Sequence, residues 1–162
     1  MTLIVSDSTP INILVRLGLV ELLARLFGEV AIPPSVAEEM SHPNTPAAVR
    51  DWMAGPPAWL TVRPPSVTYD RSSKHRGERD AMQLALDLKT SILIDEIEAR
   101  RTAVSMGLAV VGTVGVLEIA ANAGLIADLA AVHAALRGTD FRIGERILSA
   151  SLARHESRKR QA

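Results

Sequence analysis

The segment Leu3-Ile4-Val5-Ser6-Asp7 is the first indication of the fold class of this chain. Its first three residues form a short apolar run with β-branched side chains, which is typical of a strand buried on both faces of a sheet. The run stops at a serine and an aspartate. We therefore predict a buried strand that delivers an acidic side chain, Asp7, to its carboxyl end.

Three further apolar runs have the same character, and helical periodicity fills the segments between them. The runs cover residues 30–32, 91–94 and 109–111, and the second of them ends at Asp95. Strands that alternate with helices predict an α/β domain with a parallel sheet and right-handed crossovers. The predicted helices lie within residues 10–27 (with a break at Gly18), from Ser35, and at about 47–53, 77–88, 96–106, 114–123 and 125–155.

Composition limits the class of protein. The 162 residues, 48% of them hydrophobic, are enough for one domain, which we place at residues 1–155 with a basic C-terminal tail at 156–162. Eighteen basic residues balance eighteen acidic ones, so any polyanion must be bound locally. The absence of cysteine excludes disulfides, zinc–thiolate sites and thiol catalysis. With no signal peptide or membrane span evident, we expect a soluble cytoplasmic protein.

Four acidic residues are predicted to gather at one edge of the sheet. Asp7 and Asp95 follow buried strands, and the carboxyl edge of a parallel sheet is where open α/β folds bind ligands. Glu78 lies in the first turn of the helix before the Asp95 strand, and Glu39 lies in the helix after the second strand. Both are within reach of the same edge.

Gathered carboxylates repel one another unless protons or cations neutralise them. Mg²⁺ and Mn²⁺ prefer oxygen ligands, whereas zinc favours thiolates and imidazoles. In a two-metal site the ions activate water and stabilise the charge that develops on a phosphate. The acids therefore predict a Mg²⁺ or Mn²⁺ site suited to phosphodiester chemistry.

Each acid also has a purely structural interpretation. Asp7 and Asp95 suit a helix cap or turn, as Asp7 does for the Ser8-Thr9-Pro10 turn. Glu96 has the spacing for an i,i+4 ion pair with Arg100 as an alternative to binding metal.

Two residues close to the predicted ligands, Glu38 and Asp80, also have both a structural and a metal-binding interpretation. Glu38 has capping-box spacing from Ser35, which explains it without metal and leaves Glu39 to face elsewhere. Asp80 is an alternative ligand to Glu78, but two residues apart on a helix their side chains diverge by roughly 200°. We expect only one of that pair to face the site.

Taken together, five segments resemble the PIN-domain-like superfamily, in a branch related to VapC-type toxin ribonucleases. The resemblance covers about residues 1–126. The segments are DSTPI at residues 7–11, IPPSVAEEM at 32–40, GERDAMQLA at 77–85, IDEIEAR at 94–100 and GLAVVGTVGVL at 107–117.

The resemblance implies a three-layer α/β/α fold, a metal-dependent ribonuclease site, frequent homodimers and, in toxin members, a cognate antitoxin that covers the site. By position, Asp7, Glu39, Glu78 and Asp95 match the family's catalytic and metal-binding acids. Ser8 or Thr9 would add a hydroxyl near the metal or the phosphate. The sequence departs from the commonest pattern at Glu78 and at Glu96, where aspartate is frequent.

Three functions remain open at this stage. The first is a Mg²⁺- or Mn²⁺-dependent endoribonuclease, in which basic clusters at residues 71–79 and 154–160 contact phosphate locally unless they are only a solvated loop and tail. The second is a PIN-like module that binds nucleic acid or protein without turnover. The third is a phosphotransfer site with Asp7 as nucleophile, which lacks the second aspartate two positions on that such enzymes normally show.

Overall fold

The computed structural model describes residues 2–70 and 72–162, so Arg71 of the first basic cluster and Met1 lie outside the described residues. Two compact units divide the chain, one ending at Val111 and the other running from Gly112 to Ala162. The first unit contains β1 (Leu3–Ser6), α1 (Ser8–Arg16), α2 (Glu21–Phe27), β2 (Glu29–Ile32), α3 (Pro34–Met40), α4 (Ala47–Ala54), β3 (Leu60–Val62), α5 (Arg76–Leu88), β4 (Ile92–Leu93), α6 (Ile97–Ser105) and β5 (Val110–Val111).

Within the described residues, all five strands run parallel in one sheet with the order β3-β2-β1-β4-β5. The predicted parallel sheet is thus confirmed. The chain moves outward from β1 through β2 to β3 and then returns to β4 on the other side of β1. The strand order therefore reverses between β1 and β4, which is where open α/β sheets form a ligand crevice.

Helices cover both faces of this sheet. Right-handed crossovers that run in opposite directions from β1 place α1 to α4 on one face and α5 and α6 on the other. The first unit therefore has the predicted three-layer α/β/α architecture. Under α5 and α6, the strand residues Val5, Ala31 and Ile92 pack in a core cluster that also includes Ile94, Ala81, Met82, Leu84, Ala85, Ala99, Ala103 and Leu108.

Most predicted elements are present, with differences at their ends. The break at Gly18 is confirmed, and this glycine has a left-handed φ of 72° between α1 and α2. Strand β4 is limited to two residues of the predicted 91–94 run. Strand β3 was not predicted, because it is short and lies in a segment interrupted by prolines.

The second unit consists of α7 (Thr113–Asn122), α8 (Leu129–Arg137) and α9 (Glu145–Gln161). Arg154 of α9 donates two hydrogen bonds to the carboxylate of Glu118, at 2.9 and 2.8 Å. Helix α9 continues to Gln161, so residues 156–161 of the predicted basic tail are helical. No helix among the described residues has the length and apolar character needed to cross a bilayer.

Candidate metal centre

The two strand-end aspartates lie on neighbouring strands at the edge where the strand order reverses. Ser6 is paired in register with Leu93, and the backbone N–H of Asp7 donates to the Leu93 carbonyl over 2.9 Å. Asp95 follows β4 after one intervening residue. The sheet pairing therefore brings the chain at Asp7 alongside the chain that leads to Asp95.

Asp7 is buried, with only 3% of its surface exposed. It occupies the residue before α1, yet its side chain makes no capping hydrogen bond to that helix. Its Oδ1 atom is buried without a hydrogen-bond partner. Because a buried polar atom without a partner is costly, the structural interpretation of Asp7 as a cap leaves its position unexplained.

The electrostatic surroundings of Asp7 disfavour its charged form. Burial raises the pKa of Asp7 to about 7, against the opposing influence of the Ser8 backbone N–H. The negative charges of Glu39, Glu78 and Asp95 add to this increase. The predicted acids are therefore near enough to one another to interact through their charges.

Glu39 lies on α3 and Glu78 on α5, and Gly77 of α5 is close to two carboxylates of the site. A Cβ atom at Gly77 would lie 3.0 Å from Glu39 Oε2 and 3.9 Å from Asp7 Oδ1. A side chain at this position would therefore crowd the Glu39 carboxylate, which would have to shift. This close contact is a feature of the site that we did not predict from the sequence, although the glycine directly precedes one of the predicted acids.

Glu78 is half-buried, and its surroundings shift its protonation equilibrium. Burial raises the pKa of Glu78, and the nearby charges of Glu96 and Glu39 act in the same direction. His75 opposes this change, because its Nδ1 lies 3.2 Å from Glu78 Oε2. Glu78 thus belongs to the same electrostatic group as Asp7.

Glu96 has a structural role that differs from the predicted ion pair. Its carboxylate accepts a hydrogen bond from the backbone N–H of Ala99 over 2.6 Å and so caps α6. The side chain of Arg100 donates instead to the carbonyl of Ile94, over 3.2 Å. The same carboxylate also raises the pKa of Glu78, so Glu96 stands both at the helix end and beside the acidic group.

The capping box predicted for α3 is wrong. The helix begins at Pro34, and the Ser35 hydroxyl donates to Asp80 Oδ2 over 2.6 Å. Glu38 is near Arg76, with 3.2 Å between its Oε2 and the Arg76 Nη1 atom. A proline at the first helical position already supplies the required φ, and the serine hydroxyl finds a partner on another helix.

Asp80 does not behave as an alternative metal ligand. It is 1% exposed, and its two oxygens accept hydrogen bonds from the Ser35 hydroxyl and, over 3.1 Å, from the Tyr69 backbone N–H. Arg76 Nε lies 3.7 Å from Asp80 Oδ2. Asp80 therefore connects α5 to α3 and to the loop at Tyr69, a long-range role that its position in the sequence did not indicate.

The donor chemistry fits a hard divalent cation. An unpartnered, buried carboxylate oxygen surrounded by like charges is the environment that such an ion stabilises. In residues 2–70 and 72–162, however, no three acidic or histidine side chains converge into a complete ligand set. The side chains of Glu39 and Glu78 each have several rotatable bonds, so the backbone does not fix the positions of their carboxylates.

The two predicted hydroxyl residues lie in the first turn of α1, directly after Asp7. Ser8 is buried and Thr9 is half-buried. Their proximity to Asp7 in the chain is consistent with the predicted support of metal or phosphate, which remains a prediction.

Comparison with known proteins identifies a family for nearly the whole chain. The sequence model of the family DUF3368, described as a PIN domain, matches residues 3–157. Neither the curated proteins nor the solved structures contain a match. The matched range includes every strand of the sheet and all of the predicted site acids.

Proposed function

Because the chain belongs to the PIN-domain family, whose members are generally metal-dependent nucleases, we propose that it is a Mg²⁺- or Mn²⁺-dependent endoribonuclease. The observation that carries this proposal is Asp7. It is a buried carboxylate with an unpartnered oxygen, at the strand-order reversal of a parallel sheet, and three other acids affect its ionisation.

In this proposal Asp7, Glu39, Glu78 and Asp95 hold the cation, with Glu96 as a further ligand. A divalent cation held by these residues would supply Lewis-acid chemistry, activating a water and offsetting charge on the phosphate. The pKa of Asp7 is about 7, so without a cation the carboxyl group is only partly ionised at neutral pH, and binding of a cation would displace the remaining proton. His75 orients Glu78 through their 3.2 Å contact.

Two observations favour a second function, a module that binds RNA or protein without turnover. The described acids do not converge into a ligand set, and the glutamates at residues 78 and 96 replace the aspartates that we expect in active relatives. This alternative keeps the fold and the electrostatic group but not the hydrolysis. RNA affinity without product, with or without metal, would distinguish it from the nuclease.

Association with other proteins is part of the proposal. By analogy with the family, we infer that the chain forms a homodimer and, if it is a toxin, that a cognate antitoxin covers the acidic edge. Light scattering after size exclusion tests the first inference. Suppression of RNA cleavage by the product of an adjacent small reading frame tests the second.

The central experiment measures cleavage of mixed single-stranded and structured RNAs in Mg²⁺, Mn²⁺ or chelator. We expect Asp7→Asn and Asp95→Asn to reduce cleavage by at least about 100-fold, because each removes a ligand charge. Asp51→Asn, at an exposed carboxylate on α4, is the matched control and should retain activity. Equal cleavage by folded Asp7→Asn protein would disprove the proposal and indicate a contaminating nuclease.

A further inference from the structure

A cleft with a volume of about 390 Å³ opens between α5, α6 and the loop that carries Tyr69. It lies beside the group of acids formed by Asp7, Glu39, Glu78 and Asp95. Glu78 and Glu96 line the cleft, so it adjoins the proposed metal centre. Part of its wall is apolar and comes from Met82, Ala99 and Met106. The cleft therefore combines an apolar surface with carboxylates, within a volume that is typical of small-molecule sites.

Tyr69 supplies an aromatic surface at this cleft. The guanidinium carbon of Arg79 lies 5.5 Å from the centroid of the Tyr69 ring, a cation–π arrangement. The backbone N–H of Tyr69 donates to the buried carboxylate of Asp80, so the loop is held independently of the ring. An aromatic ring with a stacked guanidinium is a surface on which unpaired nucleobases stack.

We propose that this cleft binds one unpaired nucleobase of an RNA substrate, next to the phosphate that is cleaved. The inference rests on the proposed nuclease function, and the cleft requires an unpaired residue because a base within a duplex is not available to it. Carboxylate oxygens accept hydrogen bonds, and Glu78, Glu96 and Glu98 supply such oxygens to the lining of the cleft. They match the amino groups of adenine, cytosine and guanine, which uracil lacks.

Four substitutions distinguish the contribution of the Tyr69 ring from that of the open volume of the cleft, and both from effects on folding. Tyr69→Leu removes the ring and retains the backbone hydrogen bond to Asp80, whereas Tyr69→Phe retains the ring. Thr102→Trp fills the cleft from an exposed position on α6 that lines it. Ser105→Trp adds the same bulk at an exposed position of the same helix that does not line the cleft, and is the matched control.

Binding is measured in an Asp7→Asn background, so that loss of cleavage and loss of base binding are observed separately. The probes are a labelled oligouridine with one central adenosine and the same oligomer with an abasic central residue. We expect the adenosine oligomer to bind about tenfold more tightly, in line with the contribution of one stacked base. Tyr69→Leu and Thr102→Trp should abolish this preference, and Tyr69→Phe and Ser105→Trp should retain it.

Equal binding of the two oligomers, or a preference that persists in folded Tyr69→Leu protein, would overturn the assignment of the cleft. A base preference in a protein whose wild-type form cleaves no RNA would support the cleft while rejecting the nuclease. Cleavage by the wild type without any base preference would reject the cleft while supporting the nuclease. The two proposals therefore fail by different results.

Discussion

Asp7 is costly to keep charged, since it is 3% exposed and close to other acids. The ordinary pKa of an aspartate is 3.8, and the folded protein raises the pKa of Asp7 to about 7. Between these values the folded state retains a proton that the unfolded state has released. The free energy of unfolding therefore decreases as pH rises through this interval, and then levels off.

We predict that metal-free Asp7→Asn protein is more stable than the wild type at pH 8, and that the difference shrinks as the pH is lowered toward 4. The full difference is on the order of 4 kcal/mol, because each pKa unit corresponds to about 1.4 kcal/mol. Urea unfolding in chelator, followed by circular dichroism, measures it. Asp51→Asn, at an exposed carboxylate on α4, is measured in parallel as the control. A stability difference between Asp7→Asn and the wild type that does not change with pH would contradict the argument.

At the scale of elements, Asp80 determines how α5 meets α3. Its buried carboxylate accepts from Ser35 on α3 and from the Tyr69 loop. Because Glu39 lies on α3 and Glu78 on α5, this connection affects the relative positions of two proposed metal ligands. A carboxylate that never faces the metal thus contributes to the geometry of the site.

We predict that Asp80→Asn lowers the free energy of unfolding by about 1–3 kcal/mol, because the amide NH₂ group cannot accept both hydrogen bonds. Urea unfolding of the variant at neutral pH measures this loss. Ser35→Ala in the same background should add little further loss, since the shared bond is already weakened. Fully additive losses would show that the two side chains are not coupled.

The sequence predicts those elements that short-range pattern determines. Periodicity and neighbouring residues along the chain are enough to predict the buried strands and the break at Gly18. They also predict the order in which the acids follow these elements. Strand β3 was not predicted because only one of its three residues is buried, which leaves no alternation of apolar and polar residues to detect. The partner of Ser35 is 45 residues away on another helix, so local spacing pointed to Glu38 instead.

In the site, too, some features can be predicted from local sequence, whereas others depend on how distant segments pack. Strand-end positions indicated that Asp7 and Asp95 share an edge, which the register of β1 with β4 bears out. The close approach of Gly77 to Glu39 depends on how α3 packs on α5, and the cleft beside Tyr69 depends on tertiary structure in the same way. Neither can be read from spacing along the chain.

At the scale of the whole molecule, the balanced charge limits how RNA is attracted. Eighteen basic and eighteen acidic residues give a formal net charge of +0, so attraction must come from local groups such as Arg79. Few released counterions mean a weak dependence of affinity on salt.

We predict that log affinity for a single-stranded oligomer falls against log salt concentration with a slope no steeper than about −2, which corresponds to about three neutralised phosphates. Fluorescence anisotropy between 50 and 200 mM salt, roughly the range in which basic proteins lose affinity steeply, measures this slope. Arg79→Gln should make the slope shallower by about 0.7, which is the contribution of one phosphate contact. A slope near −7, equivalent to about ten phosphates, would show that a long basic surface binds RNA.

Strand β3 ends the sheet order within the described residues, and prolines stand on both sides of it, at Pro56-Pro57 and Pro64-Pro65. Proline has no backbone N–H and cannot extend a hydrogen-bonded ladder, so this outer strand cannot lengthen in either direction. Three residues present too short a template for another copy to add a strand. The prolines that obscured β3 in the sequence thus also protect the protein against edge-to-edge aggregation.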